Sequence, residues 1–189
     1  MSLADFEARY RADPDPWGYR SSEYEKAKYA ATLQACGPGP FASALELGAS
    51  IGVFSGQLAP RCRCLITIDA APTAVSTARE HLAALEGAEH TDVRLGTIPA
   101  DLPDGRFELV VASEILYYLD AGELQATLDA LRERLVPGAR LVAVHWRPDG
   151  AERPLTAAAV HAALRALPWL SLAGSSDTDA FRLDAFTRA

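Results

Sequence analysis

The segment ALELGASIGVFSGQLA, residues 44–59, runs from apolar residues into a glycine-containing turn, with an acid just ahead of it. In open α/β sheets the loop after the first strand is the usual cofactor contact, which makes this stretch the candidate cofactor loop. A dinucleotide fingerprint, G-x-G-x-x-G, needs its second glycine so that a pyrophosphate can approach the backbone. Ser50 occupies that place here. Its side chain crowds a pyrophosphate but need not crowd a cofactor without phosphates. Glu46 argues the same way, because an acid before the loop repels phosphate and attracts an ammonium or a sulfonium. Asp69 ends the next apolar run, CLITIDA, where a carboxylate can hydrogen-bond ribose hydroxyls. Its alternative role is to cap the helix that begins near Pro72.

These residues need a scaffold, and the pattern around them supplies one. From about residue 40 short apolar runs alternate with helical patterns, as in βαβ units. Strands are expected at 43–48, 64–70, 92–96, 107–115 and 139–146, and the tail from about 169 reads as two strands around a polar turn. A short helix carries Phe54 and Leu58. Pro72 suits the first turn of the next helix, whose Val75, Ala78, Leu82 and Leu85 share one face. Asp120 and Glu123 form a capping pattern ahead of Leu124, Leu128, Leu131 and Leu135, and Pro137-Gly138 is expected to end that helix. A further helix covers about 156–167, capped by Thr156. Upstream, a proline-rich loop leads into a helix with Ser22 and Glu25 at capping-box spacing. The opening Met-Ser-Leu is given no structural weight. The expected fold is α/β: a Rossmann-like, doubly wound sheet of seven strands, mostly parallel, with a C-terminal antiparallel hairpin and helices on both faces.

The bulk numbers fit one soluble domain. The chain has 189 residues, 49% hydrophobic and 23% charged, with a net charge of −7 and no basic run. That argues against nucleic acid, whose phosphates need clustered Lys and Arg. No apolar segment is long enough for a membrane span and no signal-peptide pattern opens the chain, so a cytoplasmic location is expected. Cys36 and the Cys62-x-Cys64 pair have no partnering cluster, and the four histidines (81, 90, 145 and 161) are scattered. They read as free thiols and isolated imidazoles, with no metal site. His81 and His161 are expected on helices, facing solvent or packing.

Taken together, ELGASIG, TIDA, GTIPADLPDGRFELVVASEILYYL and LVPGARLVAVHWRP closely resemble the class I S-adenosylmethionine-dependent methyltransferases, in order and spacing over about residues 40–150. DPDPWGYRSSEYEKAKYAATL, SEILYYL and HWRP…G are further similar to the nodulation protein S family, N-methyltransferases that act on the free amine of a deacetylated chito-oligosaccharide. The resemblance implies one methyltransferase domain over 1–189, with an N-terminal lid or cover at 1–39 and a core at 40–189 that binds S-adenosyl-L-methionine. It implies no metal and a small-molecule partner such as an amino sugar. Whether the chain is a monomer or a dimer stays open.

By the same resemblance Glu46, Gly48, Ala49 and Gly52 would hold the methionine end of the cofactor. Asp69 would take the ribose, Ala70 the adenosine, and Thr97 and Ile98 the adenine. Ser113 and Glu114 would lie beside the methyl group. Glu114 could orient an attacking amine or balance its developing charge, or it could only cap the following turn. His145 could take the proton from an ammonium substrate. Trp146 could stack on a sugar and Arg147 could bind hydroxyls or a carboxylate, unless Trp146 is buried and Arg147 pairs with a surface acid. Of Tyr117 and Tyr118, one is expected in the core and the other, taken as Tyr118, in the cleft. Trp17 and Tyr24 would close over the site, and Lys28 could reach a carboxylate, the cofactor's or that of Glu46. The other readings are an O-methyltransferase, a non-catalytic cofactor-binding module and a nicotinamide-dependent oxidoreductase.

Overall fold

The computed structural model describes residues 1–148 and 153–189. Gly150 of HWRP…G lies outside the described residues. The apolar runs form strands β1 (Ala44–Leu47), β2 (Leu65–Asp69), β3 (Thr91–Leu95), β4 (Phe107–Ser113) and β5 (Leu135–Trp146), followed by β6 (Leu170–Asp177) and β7 (Phe181–Arg188). They make one seven-stranded sheet in the order β3-β2-β1-β4-β5-β7-β6. Strands β1 to β5 are parallel, and β7 inserts antiparallel to both β5 and β6.

Both faces of the sheet are covered, which explains the near-continuous apolar strands. Residues alternate between two cores: Leu45, Leu47, Val110, Ala112, Leu141 and Ala143 face one, and Ala44, Leu109, Val111, Val142 and Val144 face the other. Helices α5 (Ala121–Arg134) and α6 (Ala157–Arg165) contribute Leu124, Leu128, Leu131, Val160 and Leu164 to the first. Helices α2 (Glu23–Cys36), α3 (Val53–Leu58) and α4 (Pro72–Ala83) contribute Tyr29, Phe54, Leu58, Val75, Ala78 and Leu82 to the second.

Two expectations are corrected. The opening residues form a helix, α1 (Leu3–Ala12), closed by a capping box in which the Ser2 hydroxyl accepts from the Asp5 N–H and the Asp5 carboxylate accepts from the Ser2 N–H at 2.7 Å. Pro137-Gly138 does not end α5. That helix stops at Arg134, and the chain enters β5 at Leu135, opposite Phe107. Pro137 and Gly138 then fall in the register irregularity before Arg140 pairs with Leu109.

The chain builds β1, β2 and β3 outward to one side, then returns to place β4 on the other side of β1. The loops leaving β1 and β4 therefore diverge, which opens a crevice at the carboxyl ends of the strands. Gly52 starts α3 from a left-handed backbone, φ 80°, and a Cβ there would lie 3.1 Å from the Ala78 Cβ and 3.2 Å from its Cα. Gly52→Ala should lower the unfolding free energy by about 1–3 kcal/mol. Gly174→Ala in β6, where a Cβ meets nothing within 4 Å, should change it by less than about 0.5 kcal/mol. Urea denaturation checks both; equal stabilities for the two variants would contradict this account of the turn.

Candidate active site at the strand-order reversal

A cavity of ≈ 720 Å³ opens where the loops diverge. Its floor comes from the ends of successive strands: Gly48 and Ser50 after β1, Asp69 and Ala70 at β2, Thr97 and Ile98 after β3, Ser113 and Glu114 at β4, and Trp146 at β5. The N-terminal segment roofs it with Phe6, Tyr10, Trp17, Tyr19, Tyr24 and Lys28. Of the candidate residues, Gly48, Asp69, Ala70, Thr97, Ile98, Ser113, Glu114, Trp17, Tyr24, Tyr118 and Trp146 are thus brought together at one space.

The loop after β1 is locked by its neighbours. Ser50 holds a left-handed backbone, φ 50°, which few non-glycine residues adopt. Its N–H donates to Asp69 Oδ2 at 2.8 Å, and its hydroxyl accepts from the Tyr10 hydroxyl at 2.7 Å. The Ala71 N–H donates to Asp69 Oδ1 at 2.9 Å. Asp69 therefore ties the loop to the residue ahead of α4 without capping that helix, whose N-cap, Ala71, has no side-chain cap, and it still lines the cavity. Burial raises its pKa, and the backbone donors on both oxygens oppose that rise. Glu46 lies beneath the loop with Ala49, beside a small side space of ≈ 30 Å³ that Gly48, Ser50, Ser113 and Glu114 also line. It accepts from the Ser55 hydroxyl at 2.5 Å, and burial pushes its pKa up to about 7.

Glu114 occupies the other side of the reversal, also with a left-handed backbone, φ 56°. Three groups donate to its carboxylate: Lys28 Nζ at 2.9 Å, the Trp146 N–H at 2.9 Å and the Tyr117 hydroxyl. Lys28 is 1% exposed and also pairs with Glu25 at 2.9 Å. Burial raises the Glu25 pKa, with Lys28 opposing. Turned inward to Lys28, Glu25 leaves the expected capping box half made: the Ser22 hydroxyl still accepts the Glu25 N–H. Burial, with Glu114 close by, raises the Tyr117 pKa, so its hydroxyl remains a donor. The Tyr24 hydroxyl is buried on the cavity with no hydrogen-bond partner among the described residues.

Three expectations move. His145 is fully buried and lines neither space; its Nε2 accepts from the Leu116 N–H at 3.3 Å and its Nδ1 meets His161. Desolvation, then His161, drives its pKa far down, so it is not placed to take a proton from a ligand. Arg147 lies off the cavity and pairs with Asp177 at 3.0 Å, the surface-acid reading. Gly52 touches neither space and serves only the start of α3. Trp146 is 41% exposed, not buried. The sequence reading missed Tyr10, Phe6, Glu25 and Arg153. Arg153 lies 4.6 Å over the Tyr117 ring and 5.0 Å over that of Trp146. The Ser2-x-x-Asp5 spacing was the signal for α1 and hence for Tyr10; Arg153 had none.

This strand order, with a crevice lined by the loop after β1 and an acid ending β2, defines the fold of the class I S-adenosylmethionine-dependent methyltransferases. The sequence profile of nodulation protein S matches residues 4–154, and the chain belongs to that family. It is 32% identical over 136 residues to nodulation protein S of Rhizobium tropici, covering 71% of this chain and 56% of that protein. The Bradyrhizobium diazoefficiens counterpart is 33% identical over 138 residues, covering 71% of this chain and 64% of its own. The chain thus spans less than two thirds of either relative. Among solved structures, the N-methyltransferase NodS of Bradyrhizobium japonicum, in complex with S-adenosyl-L-homocysteine, superposes with a TM-score of 0.86 at 24% identity, over 100% of this chain and 99% of that one. A Pseudomonas syringae protein solved as a candidate methyltransferase gives 0.76 at 35% identity, over 88% and 100%.

The raised pKa of Glu46 has a consequence for stability without ligand. Below about pH 4.5 both folded and unfolded chains hold the proton. Between there and about pH 7 only the folded chain does, so stability falls as pH rises through this window. Glu46→Gln, neutral throughout, should lose that slope and gain on the order of 2–3 kcal/mol over wild type between pH 4.5 and 8. Parallel denaturation curves for the two proteins at both pH values would contradict the assignment.

Proposed function

We propose that the chain is an S-adenosylmethionine-dependent N-methyltransferase whose acceptor is the amine of a small polar molecule of the amino-sugar or deacetylated chito-oligosaccharide class. The cavity suits the cofactor in size, being within the range of about 300–1,000 Å³ common for such ligands. It suits it in charge as well. Ser50 and the acids Glu46 and Asp69 disfavour a pyrophosphate, while Glu46 beneath the loop favours a cationic amino-acid end. Asp69 would hold the ribose, since its carboxylate keeps lone-pair capacity beyond its backbone donors. Ala70, Thr97 and Ile98 would border the adenosine, and Gly48, Ala49 and Ser113 the methionine end. The bound cofactor supplies an electrophilic methyl group on a sulfonium.

The observation that carries the acceptor reading is the carboxylate of Glu114. An ionised carboxylate offers about four lone-pair sites, and Lys28, Tyr117 and the Trp146 N–H fill three of them. The remaining site can accept one N–H of an amine, fix the direction of its lone pair and balance the charge that grows on nitrogen as it is alkylated. Trp146, Tyr118 and Trp17 offer aromatic faces for a sugar ring, and the Tyr24 hydroxyl, without a hydrogen-bond partner among the described residues, offers it a hydrogen bond. The aromatic roof, with Phe6 and Tyr118 rings 4.9 Å apart, excludes water from the transfer.

Transfer of labelled methyl groups tests this reading. Glucosamine oligomers with a free amine should be methylated, and their fully N-acetylated counterparts should not. Glu114→Gln should lower kcat/KM for the amine by about 10²-fold or more. Methylation confined to hydroxyl acceptors would replace this reading with that of an O-methyltransferase.

A further inference from the structure

Three consecutive residues at the end of β5 grip the turn that follows β4. The Val144 carbonyl accepts from the Glu114 N–H at 2.9 Å, and the Trp146 N–H donates to the Glu114 carboxylate at 2.9 Å. Between them, His145 Nε2 accepts from the Leu116 N–H at 3.3 Å, within the single 3-10 turn Leu116–Tyr118. His145 Nδ1 meets His161 Nε2 at 3.1 Å, and His161 Nδ1 meets Asp184 Oδ2 at 2.8 Å. Arg165 closes the chain with bonds of 2.8 and 2.6 Å to the two oxygens of Asp184. His145, His161 and Asp184 are all 0% exposed, and none lines the cavity.

Donor–acceptor balance along this chain permits one arrangement of protons. The Leu116 N–H requires an acceptor at His145 Nε2, which leaves the His145 proton on Nδ1. That proton must be donated to His161 Nε2, so His161 carries its own on Nδ1, where the Asp184 carboxylate accepts it. The arrangement runs without a mismatch from α6 and β7 through β5 to the turn. Reversing any ring would place two donors face to face at Leu116 or leave the carboxylate without its proton donor.

Such a chain is a costly thing to bury, and an apolar residue in place of each imidazole would fill the same space. What it holds is strained. Glu114 keeps a left-handed backbone, a conformation that persists only where its surroundings over-determine it. Leu116 is 0% exposed, so without His145 its N–H would have no water to turn to. Release of the turn would move Glu114 and Tyr117 together, because the Tyr117 hydroxyl donates to Glu114.

We propose that His145, His161 and Asp184 are positioning residues: they hold the turn after β4 so that Glu114 and Tyr117 face the acceptor. The role rests on the reading of Glu114 given above. It differs from general packing because it depends on a proton pattern and on one acceptor atom, both of which can be read separately from stability.

The first readout needs no substitution. Nitrogen spectra of histidine-labelled protein at neutral pH should show the His145 and His161 rings neutral, with the proton of each on Nδ1. An Nε2–H tautomer or a protonated ring at either position would overturn the relay. The second readout is kinetic. His145→Leu should keep the affinity for S-adenosylhomocysteine within about threefold while lowering kcat for the amine acceptor about tenfold or more. His145→Gln, whose amide oxygen can take the place of Nε2, should recover most of that loss. Wild-type kcat in His145→Leu, or no recovery in His145→Gln, would overturn the proposal. Absence of methyl transfer in the wild-type protein would instead overturn the reading of the site, and the tautomers would still decide whether the relay exists.

Discussion

An ammonium group buried as deeply as that of Lys28 has to be met by carboxylates, and the upper face of the sheet is organised around that requirement. Removing both carboxylates would leave an uncompensated charge out of water, a far larger cost than any exposed ion pair can offset. The pair Lys28–Glu114 ties α2, outside the sheet, to the end of β4 at its centre. It draws Glu25 away from its helix cap and brings Tyr24, 5.0 Å from the ammonium, onto the same cavity. It also gives Glu114 a reason to hold a backbone conformation that costs about 1–3 kcal/mol. The N-terminal segment is joined to the core through the same atoms that line the site.

The loop after β1 is the second fixed point, and it is held by complementary means. Ser50 donates its N–H to Asp69, and its hydroxyl accepts from Tyr10 in α1. The Glu7 carboxylate of the same helix accepts from the Thr73 N–H and hydroxyl at the start of α4, at 3.0 and 2.7 Å. A side chain where dinucleotide enzymes have glycine thus serves two purposes. It closes the approach a pyrophosphate would need, and it gives the roof a point of attachment.

Much of this was legible in the sequence because the signals were local. The strands follow from apolar runs of strand length and the turns between them, and the family resemblance named most of the strand-end residues that line the cavity. Asp120 and Glu123 announced α5 and close a capping box there. What escaped was settled by pairings distant along the chain. His145 read as a base because a lone histidine near a strand end carries no sign of its burial. Its partners His161 and Asp184 lie 16 and 39 residues away, on a helix and a strand that only the fold brings together. Arg147 and Arg153 were indistinguishable by type, and the hairpin decided between them by presenting Asp177 to Arg147. Pro137-Gly138 looked like a helix stop, but the strand register absorbs it as an irregularity.

The central claim is that the floor between β1 and β4 takes an adenosine cofactor through Asp69 rather than a pyrophosphate. Calorimetric titration with S-adenosylhomocysteine tests it most directly. The account predicts one equivalent bound by the wild-type protein and an affinity at least about tenfold weaker in Asp69→Ala, the effect of a lost charge-assisted hydrogen bond of about 1.5–3 kcal/mol. No binding by the wild-type protein, or an unchanged affinity in Asp69→Ala, would contradict it.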